Sequence, residues 1–174
     1  MAVRIRDRNR IPEALANIAL LNGHSVKIGY ISGGDYSGGK ITHKGKARVH
    51  EYGVDIPVTD KMRRFFIAKF NFALKASTTH IHIPERSFLR TGSEQATPAV
   101  LAKAKELIPL AILGDVDAME LYEALGFEMR EEIQDFARAL QSPPNAHLTV
   151  AQKGFNNPLI ETGSMLQAME VILQ

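Results

Sequence analysis

The sequence contains no cysteine and no tryptophan. The first absence removes disulfides, thiolate zinc sites and cysteine nucleophiles together. Without a disulfide framework the chain does not read as a small secreted scaffold. Long hydrophobic runs are lacking too. The longest, 107–113, contains Pro109 and is far too short to span a bilayer. The basic start (Arg4, Arg6, Arg8, Arg10) leads into IPEALANIALL, which carries Glu13 and no long apolar stretch, so a signal peptide is not expected. The default expectation is a cytoplasmic protein or a member of an assembled complex, with no membrane partner. Internal repeats and low-complexity tracts are absent as well.

What is present suffices for one domain over 1–174: 174 residues, 45% hydrophobic and 23% charged, read as soluble and globular. The net charge of +2 hides an asymmetry. Residues 1–100 hold 16 Lys/Arg and 8 Asp/Glu, net +8, whereas the remainder holds 5 and 11, net −6. A basic half suits nucleic acid. Opposite charges on two faces suit head-to-tail contact between identical subunits, and two solvated surfaces would look the same.

Patterning predicts a helix over 12–21, with Leu15, Ile18 and Leu21 on one face. A half-buried strand is expected over 25–31, then a flexible loop over 33–40 and a helical turn over 47–52. A helix over 59–75 starts at a capping Thr59 with Asp60 in its first turn. A short edge strand at 80–83 runs into Pro84. A helix over 97–113 is expected to break or kink near Pro109. The longest helix is expected over 116–140, where Gly126 admits a close neighbour. Thr149 is expected to cap or start a turn over 148–153, and 164–174 to begin helical and finish as a strand.

Residues 34–40, GDYSGGK, match the first seven positions of the phosphate-loop pattern GxxxxGK[ST] and follow a strand. Position 41 is Ile, however, so the magnesium-binding hydroxyl is missing from its place, and HKGKAR makes a poor helix start. His80 and His82 share a strand face, but no third ligand stands at the right spacing, and His50-Glu51 begins an HExxH pattern that fails at Val54. Neither a cofactor nor a metal is expected. The 59–75 helix combines Lys61, Arg63, Arg64 and Lys69 with four phenylalanines. Phe65 and Phe72 lie off its main apolar stripe, so this helix is either wrapped on two sides or lends apolar surface to another subunit.

Three segments together resemble a known family. They are ARVHEYG (47–53), IPERSFLR (83–90) and PPNAHLTVAQKGFNNPLIETGSML (143–166). The first resembles an A-x-x-H-E-[FY]-G element and the second I-P-x-R-x-F-[LF]-R. The third and most specific resembles P-P-N-A-x-x-T-[IV]-x-x-K-G-x-x-x-P-L-I-[DE]-T-G. All three are features of the virion-morphogenesis and tail-completion proteins of tailed bacteriophages, small neck or tail-terminator subunits. The 59–79 stretch departs from the pattern and reads as a helical insertion.

The physical reading of the third segment stands without the family. Two prolines stop a helix, glycines at 154 and 163 allow turns, and Leu159 and Ile160 follow a rigid corner at Pro158. Such a connector suits assembly better than catalysis, although a loop packed on its own subunit explains it equally. The expected fold is α+β: a small, mostly antiparallel sheet with helices packed on one face, one long helix and an ordered C-terminal connector. The resemblance implies a non-enzymatic virion protein forming a ring, a hexamer, between head and tail, assembled in the host cytoplasm. Its partners would be itself, the tail-tube protein, a head-side connector or head-closure protein, and DNA in the channel. A basic nucleic-acid-binding module and a nucleotide-binding enzyme are the alternatives. The candidate contact residues are His50, Glu51, Tyr52, Arg63, Arg64, Phe65, Phe72, Arg86, Phe88, Glu131, Glu132, Asn145, Lys153, Pro158, Leu159, Ile160, Thr162 and Gly163.

Overall fold

A computed structural model describes residues 9–174; Arg4, Arg6 and Arg8 of the basic start lie outside them. The fold is mixed α+β. Its strands pair as three separate two-stranded antiparallel ribbons. Strand β1 (Val26–Gly29) pairs with the C-terminal strand β6 (Glu170–Leu173). Strands β2 (Tyr36–Ser37) and β3 (Lys40–Ile41) make a small hairpin where a loop was expected. Strands β4 (Val54–Pro57) and β5 (His80–Ile83) pair from Val54↔Ile83 to Pro57↔His80. The edge strand expected at 80–83 thus has a partner that the sequence reading missed.

Helix α1 (Ile11–Asn22) lies against α4 (Phe88–Leu113), and α4 against α5 (Ala118–Ala139). The longest helix is α4, with 26 residues against 22 in α5. It starts nine residues before the expected 97 and runs unbroken through Pro98 and Pro109. Each proline removes an amide donor and frees the carbonyl four residues earlier. Both prolines, with Glu94 and Lys105, are exposed, so those carbonyls face water. The expected break at Pro109 therefore does not occur.

Helix α5 packs across the β1–β6 ribbon. Gly126 makes the close approach: a Cβ there would lie 2.6 Å from Val171 Cγ1 and 2.9 Å from Val26 Cγ2. Asp117 caps α5, its carboxylate accepting from the Met119 amide at 2.7 Å. The face of α1 expected to be buried is turned outward. Leu15 and Ile18 are exposed and Leu21 is half-buried, and α1 meets its neighbours from the side of Asn17, which donates to the Ile112 carbonyl, and of Leu21, whose carbonyl accepts from Tyr122.

The main core lies at the opposite end of α5. Phe88, Ile133, Ala137, Leu159, Met165, Leu166 and Met169 are buried together there, beside Ala47 of α2 (His43–Tyr52). The connector supplies much of it. Helix α6 (His147–Lys153) begins one residue after Ala146, so Thr149 lies within the helix and does not cap it. Asn157 Oδ1 then accepts from the amides of Leu159 and Ile160, turning both side chains inward. Helix α7 (Ser164–Gln167) begins after Gly163, whose φ of +78° is a left-handed conformation suited to glycine.

From Val54 to Ile83 the chain leaves this body as an arm: β4 out, α3 (Asp60–Phe70) and a return loop, β5 back. No residue of the arm is buried, and no other helix or strand packs extensively on α3. The protein exposes 11,776 Å² in all, against roughly 8,400 Å² for a compact monomer of 19.2 kDa. Even if residues 1–8 were wholly exposed, about 1,300 Å² by the same scaling, an excess of about 2,000 Å² remains.

Candidate functional site

The three family-like segments meet at the root of the arm. Glu51, at the C-terminal end of α2, is only 2% exposed. Its carboxylate accepts from the Leu89 amide at 2.8 Å, the Arg90 amide at 3.1 Å and Arg90 Nε at 2.9 Å. Those amides are unpaired donors in the first turn of α4, where a negative charge is favoured. Ser87, the residue before α4, makes no capping bond of its own. One helix therefore caps another across 38 residues of sequence.

Arg86 is 4% exposed and ties the second segment to the other two. Its amide donates to the His50 carbonyl at 2.6 Å. Its Nε donates to the Pro143 carbonyl and one terminal nitrogen to that of Pro144, each at 2.8 Å. The other terminal nitrogen lies 3.3 Å from His50 Nδ1. A guanidinium has no acceptor, so Nδ1 is the bare nitrogen and the proton sits on Nε2. Burial, reinforced by Arg86, Lys153 and Lys46, pushes His50 down to about 4. It is neutral at physiological pH, as this bond requires. Gly53, at φ +67°, turns the chain into the arm, and a Cβ there would lie 2.8 Å from the Glu85 amide nitrogen.

Among the candidates, Glu51, Arg86 and Phe88 are thus held inside the subunit. Tyr52 is exposed, beneath the Arg90 guanidinium at 4.9 Å. His50, Arg86, Asn145, Lys153, Pro158, Leu159, Ile160, Thr162 and Gly163 line one groove of about 620 Å³ between arm and connector. Lys46, Phe66, Lys69, Phe70 and Ile81 also line it, and sequence reasoning did not connect them with it. Lys153 donates to the Asn157 carbonyl at 2.6 Å, and burial lowers its pKa.

The arm's candidates divide. Arg63 donates to the carbonyls of Leu74, Lys75, Ala76 and Thr78, clasping the return loop. Thr59 caps α3 as expected, accepting from the Met62 amide at 3.3 Å. Phe65, Phe66 and Phe70 stack edge to face, with centroids 5.5–6.2 Å apart. Lys69 sits over two of these rings. Arg64 is exposed, as are Phe65 at 50% and Phe72 at 44%. Glu131 and Glu132 are exposed on α5. Among the described residues no ion pair joins them to the arm.

The glycine-rich stretch is paired as a ribbon over 36–41, with Gly38 and Gly39 at its turn. Helix α2 starts at His43, capped by Thr42, three residues after Lys40. A phosphate loop instead runs its lysine into the first turn of the helix. His82 pairs with Asp55 at 2.7 Å on the arm. Among the described residues no three His, Asp or Glu side chains are grouped to hold a metal, and no helix is long and apolar enough to cross a membrane. No family model, curated protein or solved structure matches the chain.

Proposed function

We propose that this chain is a structural virion protein that forms a ring, a hexamer on the resemblance, at the head–tail junction of a tailed phage. It completes or caps the tail tube and joins it to the head-side connector, leaving a channel for DNA. The observation that carries this reading is the meeting of the three family-like segments. Glu51 and Arg86 are buried, and Arg86 bonds both the His50 carbonyl beside Glu51 and the Pro143–Pro144 carbonyls, joining segments far apart in sequence. Residues required together by one piece of architecture account for a pattern spread over 47–166. The arm and the uncovered apolar surface suit a subunit completed by its neighbours. Gold-labelled antibody to this chain, imaged on intact particles, tests the reading. Label confined to the neck is expected; label on the capsid, along the tube or on no particle overturns it.

The arm tip also favours a second reading, a nucleic-acid contact. Arg64 and Lys69 stand beside the exposed Phe65, a basic and aromatic combination that suits unpaired bases. Binding of single-stranded oligonucleotide that is lost in Arg64→Glu and in Phe65→Ser would favour it. The hairpin over 36–41 lends the nucleotide-binding reading no support.

A further inference from the structure

The groove between arm and connector is cationic above and apolar within. Lys46, Lys69, Arg86 and Lys153 line it against a single carboxylate, Glu161. Among the described residues none of these four cations is in an ion pair. Phe66, Phe70 and Ile81 form apolar wall. The fitting occupant is therefore acidic and carries an apolar anchor.

The chain itself presents such a surface. Helix α5 exposes Glu131, Glu132 and Asp135, and Phe127, one turn before Glu131, is 43% exposed. Residues 118–139 carry six acidic and two basic side chains, net −4, whereas 54–83 carry five basic and two acidic, net +3. The excess exposed surface, about 2,000 Å², is enough for two contacts of roughly 800 Å² per partner, one on each flank.

We propose that the arm–connector groove receives the acidic outer face of α5 from a second copy of this chain. This rests on the reading of the chain as a self-assembling subunit. The two patches differ, so the contact is heterologous: every copy retains one groove and one helix face for further neighbours. Repetition of such a contact gives a closed ring or an open filament.

Two charge-reversed variants test the contact by sedimentation. Lys46→Glu with Lys69→Glu makes the groove acidic; Glu131→Lys with Asp135→Lys makes the helix face basic. Each variant then opposes like charges within its own contact. Each is expected to sediment as a monomer where the wild type is oligomeric, with an unchanged circular dichroism spectrum. In an equimolar mixture every contact between unlike variants is matched, and an alternating assembly is expected to regain the wild-type size. That recovery also shows both variants to be folded. Wild-type assembly retained by either variant alone, or a mixture that stays monomeric, overturns the contact while leaving the virion reading intact. Loss of oligonucleotide binding in the groove variant with assembly unchanged assigns the groove to nucleic acid and overturns it too. A wild type that is monomeric at every soluble concentration overturns self-assembly itself.

Discussion

The knot at the root of the arm and the arm beyond it are adjacent in the chain and held by opposite means. In the knot, a carboxylate and a guanidinium are buried and a neutral imidazole is half-buried, and each has partners distant in sequence. In the arm no residue is buried, the helix is held by its own cap and loop clasp, and its phenylalanines stack chiefly on one another. Polar groups in the first region have been withdrawn from solvent, and apolar groups in the second have been left in it. Each inverts the usual partition. The first inversion is resolved by hydrogen bonds within the subunit, whereas the second has no resolution inside it, and on the reading proposed above another chain supplies it.

Substitutions separate the two. The largest effect belongs to Glu51→Ala, which strands the first-turn amides of α4 and leaves Arg90 without its buried partner. A loss of about 2–3 kcal/mol is expected in urea unfolding, from the stranded amides and not from the exposed Arg90, a large part of a typical domain's stability. Next comes the acid response of the knot. His50 has a folded value of about 4 against 6.5 unfolded. Its contribution is fully present above 6.5 and is lost as pH falls toward 4, because the unfolded chain takes up the proton first. Between pH 7 and pH 5 the loss is about 2 kcal/mol, and His50→Gln should flatten that part of the pH dependence.

Gly126→Ala gives a smaller effect of opposed terms. It gains about 1 kcal/mol of helix propensity. It also drives a methyl into Val26 and Val171, whose branched side chains have little freedom to move aside. A net loss of about 1–2 kcal/mol is expected from the overpacked ribbon. The smallest effect on stability is that of Phe65→Ser with Phe72→Ser, within about 0.5 kcal/mol for the isolated subunit. The same double change should abolish assembly in sedimentation, a dissociation of folding from association that no knot variant reproduces.

Local signals were legible in the sequence. The Thr59 cap, the turn at Gly163 and the helix-then-strand ending follow from neighbours a few residues away, and Gly126 within a helix marked a close approach without naming the strands that make it. Signals that act across the chain were not. The start of α4 was hidden because its cap is Glu51 on another helix and not a residue beside it. Strand β4 has four residues, too short for its alternation of Val54, Asp55 and Ile56 to stand out before Pro57, and its pairing with β5 reveals it. Pro109 suggested a break because the sequence does not say which side of a helix faces water. The connector's candidates, Asn145 to Gly163, stand within one stretch of sequence and line one groove. That Lys46 and Phe66 share their groove depends on how the arm folds back, a tertiary fact.

Hydrogen exchange at two protein concentrations tests the central claim, that the arm is a surface completed by another chain. Amides of residues 88–92, beneath Glu51, should exchange slowly at both concentrations. Amides of the arm should exchange rapidly in dilute solution and become protected as concentration rises, together with the outer face of α5. Arm protection that is the same at low and high concentration, with the wild type assembled at the higher one, would contradict the account.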